Sequence, residues 1–156
     1  MLAALVGASL LGLSVARAAD AVKIGILFPL TGNAAAAGPA AQAAVEIAAD
    51  IVNNDHPELS DIPLAKGTGL PGLGGAKIEL VSVDHQGNPS VAQQQTLRLI
   101  TQDKVQALVG AYQSSCALTA TAVAERYGIP FVVGDSVAGF APQAFGASID
   151  LQGGEE

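Results

Sequence analysis

Residues 104–136, KVQALVGAYQSSCALTATAVAERYGIPFVVGDS, decide how this chain is read. A short apolar run, Ala107 to Val109, ends at Gly110 and gives way to the polar residues Tyr112, Gln113, Ser114 and Ser115. A helical pattern follows from Cys116 to Tyr127. Gly128 supplies a left-handed C-terminal stop, Pro130 prevents the helix from continuing, and Phe131 to Val133 form a second buried-strand run ending in Gly134, Asp135 and Ser136. Strand, helix and strand in this order are a βαβ unit, so the two strands are parallel. Ligands of open parallel sheets bind outside the carboxyl ends of the strands. Ser114, Ser115, Asp135 and Ser136 are predicted to lie at that edge, with Tyr112 beside them and Val137 just beyond.

The same pattern extends toward the N-terminus. Val22 to Phe28 is a continuous apolar run suited to a strand covered on both faces. The helical stretch that follows starts near Ala40, with Pro39 in its first turn and Ala44, Ile47, Ile51, Val45, Ala48 and Val52 forming one broad apolar face. From Asn53 to Gly75 the sequence is rich in Gly, Pro, Asp and His, which predicts a long surface excursion. Ala76 to Val83 reads as a strand with Ile78, Leu80 and Val83 inward. Asn88 and Pro89 then start a helix as N-cap and first residue, and that helix buries Ala92, Leu99 and Ile100, with Thr96 between them. Four strands alternating with three helices predict an α/β fold: an open, mostly parallel, doubly wound sheet with helices on both faces.

Three segments follow. Residues 1–19 read as a signal peptide, with an apolar run from Leu2 to Val15 and small residues at Ala16 and Ala18 around Arg17. Residues 20–140 form one lobe. Residues 141–156 read as an irregular tail of a truncated unit. Removing the first 19 of 156 residues leaves 137, enough for a single domain. It also removes Arg17, so six basic residues face fourteen acidic ones, a balance of 6 − 14 = −8. An acidic surface with 4% aromatic residues argues against nucleic acid. The single cysteine, Cys116, excludes an intramolecular disulfide and is expected to fill the core.

Several motifs resolve to structural roles. Gly67, Gly69 and Gly72 spell a dinucleotide fingerprint, but they precede a strand and flank Pro71, so they read as turns. Gly134 to Ala138 approach a nucleophile elbow, which opens a rival reading as a truncated α/β-hydrolase with Ser136 as nucleophile. The hydrolase order places His after Ser, whereas His56 and His85 both come before it. His85 and Asp84 make too small a donor set for a metal. Ser114 and Ser115 have two readings. One of them caps the helix, and the same loop offers backbone N–H groups and a positive dipole end to a single carboxylate.

KIGILFPLTGNAAAAG from Lys23, KIELVSVDHQGNPSVAQQQTLRLI from Lys77 and ALVGAYQSSCALTATAVAERYGIPFVVGDS from Ala107 together resemble the amino-terminal lobe of type I periplasmic solute-binding proteins. The resemblance is to the leucine/isoleucine/valine-binding branch that serves ABC importers, and it covers about Val22 to Ser136. It implies one lobe of a two-lobed clamp, a non-enzymatic, monomeric periplasmic receptor without cofactor that hands an amino acid to a membrane permease. In that family the hydroxyl-rich loop after the third strand binds the ligand carboxylate and matches Ser114 and Ser115. The loop after the fourth strand matches Asp135 to Val137, with Val137 where a threonine is common. An aromatic found in some first loops is absent from Ala34 to Ala37. A cystine between the second and third loops in some members is replaced by Gly87 and Gln113. The same fold also serves receptors for amides, urea or aromatic acids, and sensor domains.

Overall fold

The computed structural model describes residues 20–134 and 148–150. Five parallel strands form one sheet in the order β2-β1-β3-β4-β5, with β1 Val22–Phe28, β2 Ile78–Asp84, β3 Ala107–Gly110, β4 Phe131–Val133 and β5 Ser148–Asp150. The helices are α1 Gly38–Asn53, α2 Pro89–Thr101 and α3 Ser114–Arg126. The sheet, its parallel sense and the alternation of helices match the sequence reading.

The register aligns the carboxyl ends of the strands. Phe28 stands opposite Asp84, Leu27 opposite Gly110, and Val133 opposite Asp150. The loops that follow β1, β2 and β3 therefore emerge along one edge. β1 leads outward to β2 on one side and β3 leads outward to β4 on the other, so the chain changes direction between β1 and β3. That junction is where an open α/β sheet leaves a crevice.

α2 and α3 pack together on one face of the sheet. Leu27, Val83, Leu108, Phe131 and Val133 meet Ala92, Leu99, Ile100, Cys116, Ala117, Ala120 and Ala124 there in one continuous buried cluster. Gly25 leaves room for this layer, because a Cβ on it would stand 2.7 Å from Leu108 Cδ2 and 2.9 Å from Leu99 Cδ1 and displace those side-chain ends. α2 starts as its sequence predicts: Asn88 Oδ1 accepts from the N–H groups of Ser90 and Val91 at 2.9 and 3.3 Å. The hydroxyl of buried Thr96 donates to Ala92 O at 2.8 Å, so it adds no unpaired polar group to the core. Cys116 is fully buried and its thiol is pushed up by burial, which fits its expected core role.

α1 lies on the opposite face and corrects the sequence reading. It begins at Gly38, and Ala44, Ile47 and Ala48 of the expected apolar face are exposed, Ile47 over 61% of its surface. Val52 of that face is buried as expected and Val45 and Ile51 are half-buried, while Gly38 and Ala49, outside it, are also buried and Ala41 is half-buried. The helix is apolar almost all round, so periodicity alone does not select a face. Contacts at its two ends do. A Cβ on Gly38 would come within 2.1 Å of Pro29 O, and Asn53 clamps Ile78 by accepting from its N–H at 2.7 Å and donating to its carbonyl at 2.8 Å. β2 shows the related parity effect: Val83 joins the α2/α3 cluster, whereas Ile78 and Leu80 are half-buried on the other face.

The excursion between α1 and β2 holds three short 3-10 turns, Pro57–Leu59, Pro63–Ala65 and Pro71–Leu73. Gly69 has φ of +80° and donates to Val52 O at 2.6 Å, so the glycine fingerprint is a turn docked on α1, not a strand-to-helix phosphate loop. The segment 141–156, expected to be irregular, contributes β5. Ser148–Asp150 carries one apolar residue and has no readable period, and its strand form comes from parallel pairing with β4. The expected signal peptide, residues 1–19, lies outside the described residues. Among the described residues no helix is long and apolar enough to cross a membrane.

Candidate functional site

The crevice between the β1 and β3 loops is built on a sharply constrained backbone. Gly110 adopts φ of +134°, and a Cβ there would come within 2.2 Å of Leu27 O. Ala111 follows at φ of +63°, uncommon for a residue with a side chain, and is fully buried with its N–H donating to Leu27 O at 2.7 Å. The chain then turns over the sheet edge into Tyr112, Gln113 and α3.

The structure corrects the expected cap. Gln113, not a serine, is the N-cap of α3, and it makes no side-chain capping bond. Ser114 and Ser115 occupy the first two helical positions, half-buried and exposed respectively. The first amide to close a helical turn is that of Ala117, on Gln113 O at 2.9 Å, so the amides ahead of it lie in the turn that has no intrahelical acceptor. Two hydroxyl-bearing residues thus sit in the first turn, at the positive end of a 13-residue helix that follows the β3 loop. Tyr112, 39% exposed, stands beside them. Asp135, Ser136 and Val137, the expected contacts after β4, lie outside the described residues, as does the serine of the elbow reading.

Asp84, at the end of β2, buttresses the β1 loop. Its carboxylate accepts from Leu30 N–H at 2.9 Å, the Thr31 hydroxyl at 2.5 Å and Gln86 N–H at 2.7 Å. Burial raises this carboxyl, but the hydrogen bonds outweigh it and hold the group below its ordinary pKa. His85 is fully buried, and burial pushes its pKa down, so the ring is neutral. Its Nδ1 accepts from Gly87 N–H at 3.1 Å, which leaves the proton on Nε2. Among the described residues no group of three or more metal-ligating side chains gathers.

Sequence reasoning did not single out Asn33, whose Oδ1 accepts from Gln113 Nε2 at 3.1 Å across the crevice. The signal was present as a polar residue in each of the loops after β1 and β3. A separate shallow groove of about 190 Å³ lies on the α1 side, lined by Phe28, Ala41, Ala44, Val45, Val109, Gly110 and Gly134. It carries no charged lining and contains neither serine.

Residues 21–149 match the sequence model described as periplasmic binding protein, and the chain belongs to that family. Solved structures agree. The branched-chain amino acid transporter substrate-binding protein LivJ of Streptococcus pneumoniae, in complex with isoleucine, is 29% identical with a TM-score of 0.62 over 77% of this chain and 30% of its own. The leucine-binding protein LivK of Thermotoga maritima is 27% identical with a TM-score of 0.59, covering 75% of this chain and 28% of its own. A solute-binding protein of a Rhodopseudomonas palustris ABC transporter, in complex with 3,4-dihydroxybenzoic acid, shares the fold at 24% identity and a TM-score of 0.58, over 75% and 28%. The chain therefore spans under a third of the length of these structures. LivJ and the Rhodopseudomonas palustris protein are substrate- or solute-binding proteins of transporters, and LivK binds leucine.

Proposed function

We propose that this chain is the amino-terminal lobe of an exported receptor for an ABC importer, binding a branched-chain amino acid through its carboxylate and delivering it to a membrane permease. The observation that carries the reading is the pair Ser114 and Ser115 in the first turn of α3, at the crevice where the β1 and β3 loops part. Isoleucine and 3,4-dihydroxybenzoate, bound by two of the similar structures, have a carboxylate in common. A single anionic group is also what a helix N-terminus with hydroxyls accepts without an added cation. In this reading Tyr112 flanks the ligand, Asp135, Ser136 and Val137 contact it from the loop after β4, residues 1–19 direct export to the periplasm, and the full-length receptor is a monomer without cofactor.

Calorimetric titration with L-isoleucine, L-leucine and 3,4-dihydroxybenzoate tests this reading and ranks the ligands. Each of Ser114→Ala and Ser115→Ala removes a hydrogen bond to a charged group, about 1.5–3 kcal/mol. Affinity then falls about tenfold or more. Melting of the Ser115 variant moves little, because the residue is exposed and does not cap the helix. Lower melting with unchanged affinity would overturn the assignment. Labelling of Ser136 by a serine-directed covalent probe would favour the hydrolase instead.

A further inference from the structure

The loops after β1, β2 and β3 converge on one point outside the serine pair. Gln113 Nε2 donates to Asn33 Oδ1 at 3.1 Å, joining residues 80 positions apart. Gly87, in the loop after β2, lies directly against this bond. A Cβ there would stand 2.3 Å from Asn33 Oδ1 and 2.7 Å from Gln113 Nε2, and the backbone adopts φ of +69°. A side chain there would strain the backbone and push the two amide groups apart. The N–H of Gly87 is in turn fixed on His85 Nδ1.

Gln113 is also the N-cap of α3, so whatever holds it sets where the helix starts. Its side chain is turned away from capping and reaches across the crevice instead. Two residues upstream, Ala111 is pinned to β1 through Leu27 O. The short span 111–113 is thus tied to β1 at one end and to the β1 loop at the other. The β1 loop is itself anchored to β2 by Asp84. Gln113 Oε1 is buried and has no hydrogen-bond partner among the described residues, so the donor end of the amide alone fixes the side chain.

We propose that Gln113, latched to Asn33 over Gly87, is the positioning residue of the carboxylate site: the latch sets the direction in which Ser114, Ser115 and the first amides of α3 face the crevice. The inference rests on the function proposed above and adds a residue that does not itself touch the ligand.

The test is a double-mutant cycle on the whole chain with Gln113→Leu, Asn33→Leu and both together, read by calorimetric titration with L-isoleucine. Asn33→Asp, which keeps the acceptor oxygen, is the conservative rescue. Each leucine variant should bind about fivefold more weakly, the double variant no more weakly than either single one, and Asn33→Asp within about twofold of the parent. Unchanged affinity in the single variants, losses that add in the double variant, or no rescue by Asn33→Asp would overturn the proposal. If the parent takes up none of the three acids named above, the functional reading fails on its own. The latch is then read from the backbone amide resonances of Ser114 and Ser115, which should move in Gln113→Leu and return in no variant that lacks the bond. Unmoved resonances would overturn it.

Discussion

The two faces of this sheet are built to different standards. On the α2/α3 face, two helices pack on each other and over β1, β3 and β4, and Leu27, Leu108, Phe131 and Val133 are fully buried. On the α1 face a single helix covers β1 and β2. Ile26 and Phe28 are buried there, but Val109 and Val132 remain half-exposed beside the shallow apolar groove. Parallel sheets are ordinarily covered on both faces. The difference separates the work of the lobe: the α2/α3 face supplies its stability and holds α3, whose first turn carries the candidate site, while the α1 face leaves apolar surface unpartnered among the described residues.

The largest expected effect sets neighbouring residues of β3 against each other. Leu108→Ala, on the packed face, should destabilise by about 2–5 kcal/mol, because it removes fully buried methyl groups and leaves a cavity. Val109→Ala, one residue on and facing the groove, should lose less than about 1 kcal/mol for its half-buried surface. Denaturant titration of the two variants checks this, and equal losses would erase the distinction between the faces.

A second effect depends on pH. His85 continues the parity of Val81 and Val83 and is fully buried, with its pKa held below the ordinary 6.5. The unfolded chain therefore takes up this proton first, and stability falls as pH drops through 6.5 toward the folded value, while above 6.5 the group contributes no slope. His56, half-buried between Glu58 and Asp50, has the opposite sign: the hydrogen bond to Glu58 raises its pKa, so its stabilisation is present below 6.5 and fades as pH rises through the raised value. Solvent screening keeps that contribution small. Melting at pH 7.5 and 5.5 should show an acid loss that shrinks in His85→Asn, whose side-chain oxygen can replace Nδ1 for Gly87. An unchanged acid loss would assign the slope to other groups.

The smallest effect lies on the outer side of α1. Ile47→Lys should alter stability by less than about 0.5 kcal/mol, since the side chain is largely in water, yet lower self-association by placing charge on exposed apolar surface. Sedimentation of the parent and the variant at several concentrations measures it.

The packed face was the legible one. β3, α3 and β4 could be read from the run at 104–136, and α2 from Asn88, Pro89 and the spacing of Ala92, Thr96, Leu99 and Ile100, because there local propensity and burial agree. The α1 face was not legible. Its helix is apolar nearly all round, and its rotation is set by Gly38 against Pro29 and by Asn53 against Ile78, contacts that no periodicity encodes. β5 is likewise a product of pairing. At the candidate site, the serine pair could be found from its place after a strand, but its position inside the helix rather than at the cap could not, because Gln113 takes the cap while its side chain is committed to Asn33.

The most direct test of the central claim is a residue-by-residue map of where a carboxylate ligand lands on this chain. In a ¹⁵N–¹H NMR titration with L-isoleucine, the backbone amides of Tyr112 to Ala117 should shift in a saturable, concentration-dependent manner, while those of Ala41, Ala44 and Val45 beside the apolar groove stay in place. Shifts confined to the groove residues, or none in the first turn of α3 at saturating ligand, would contradict the account.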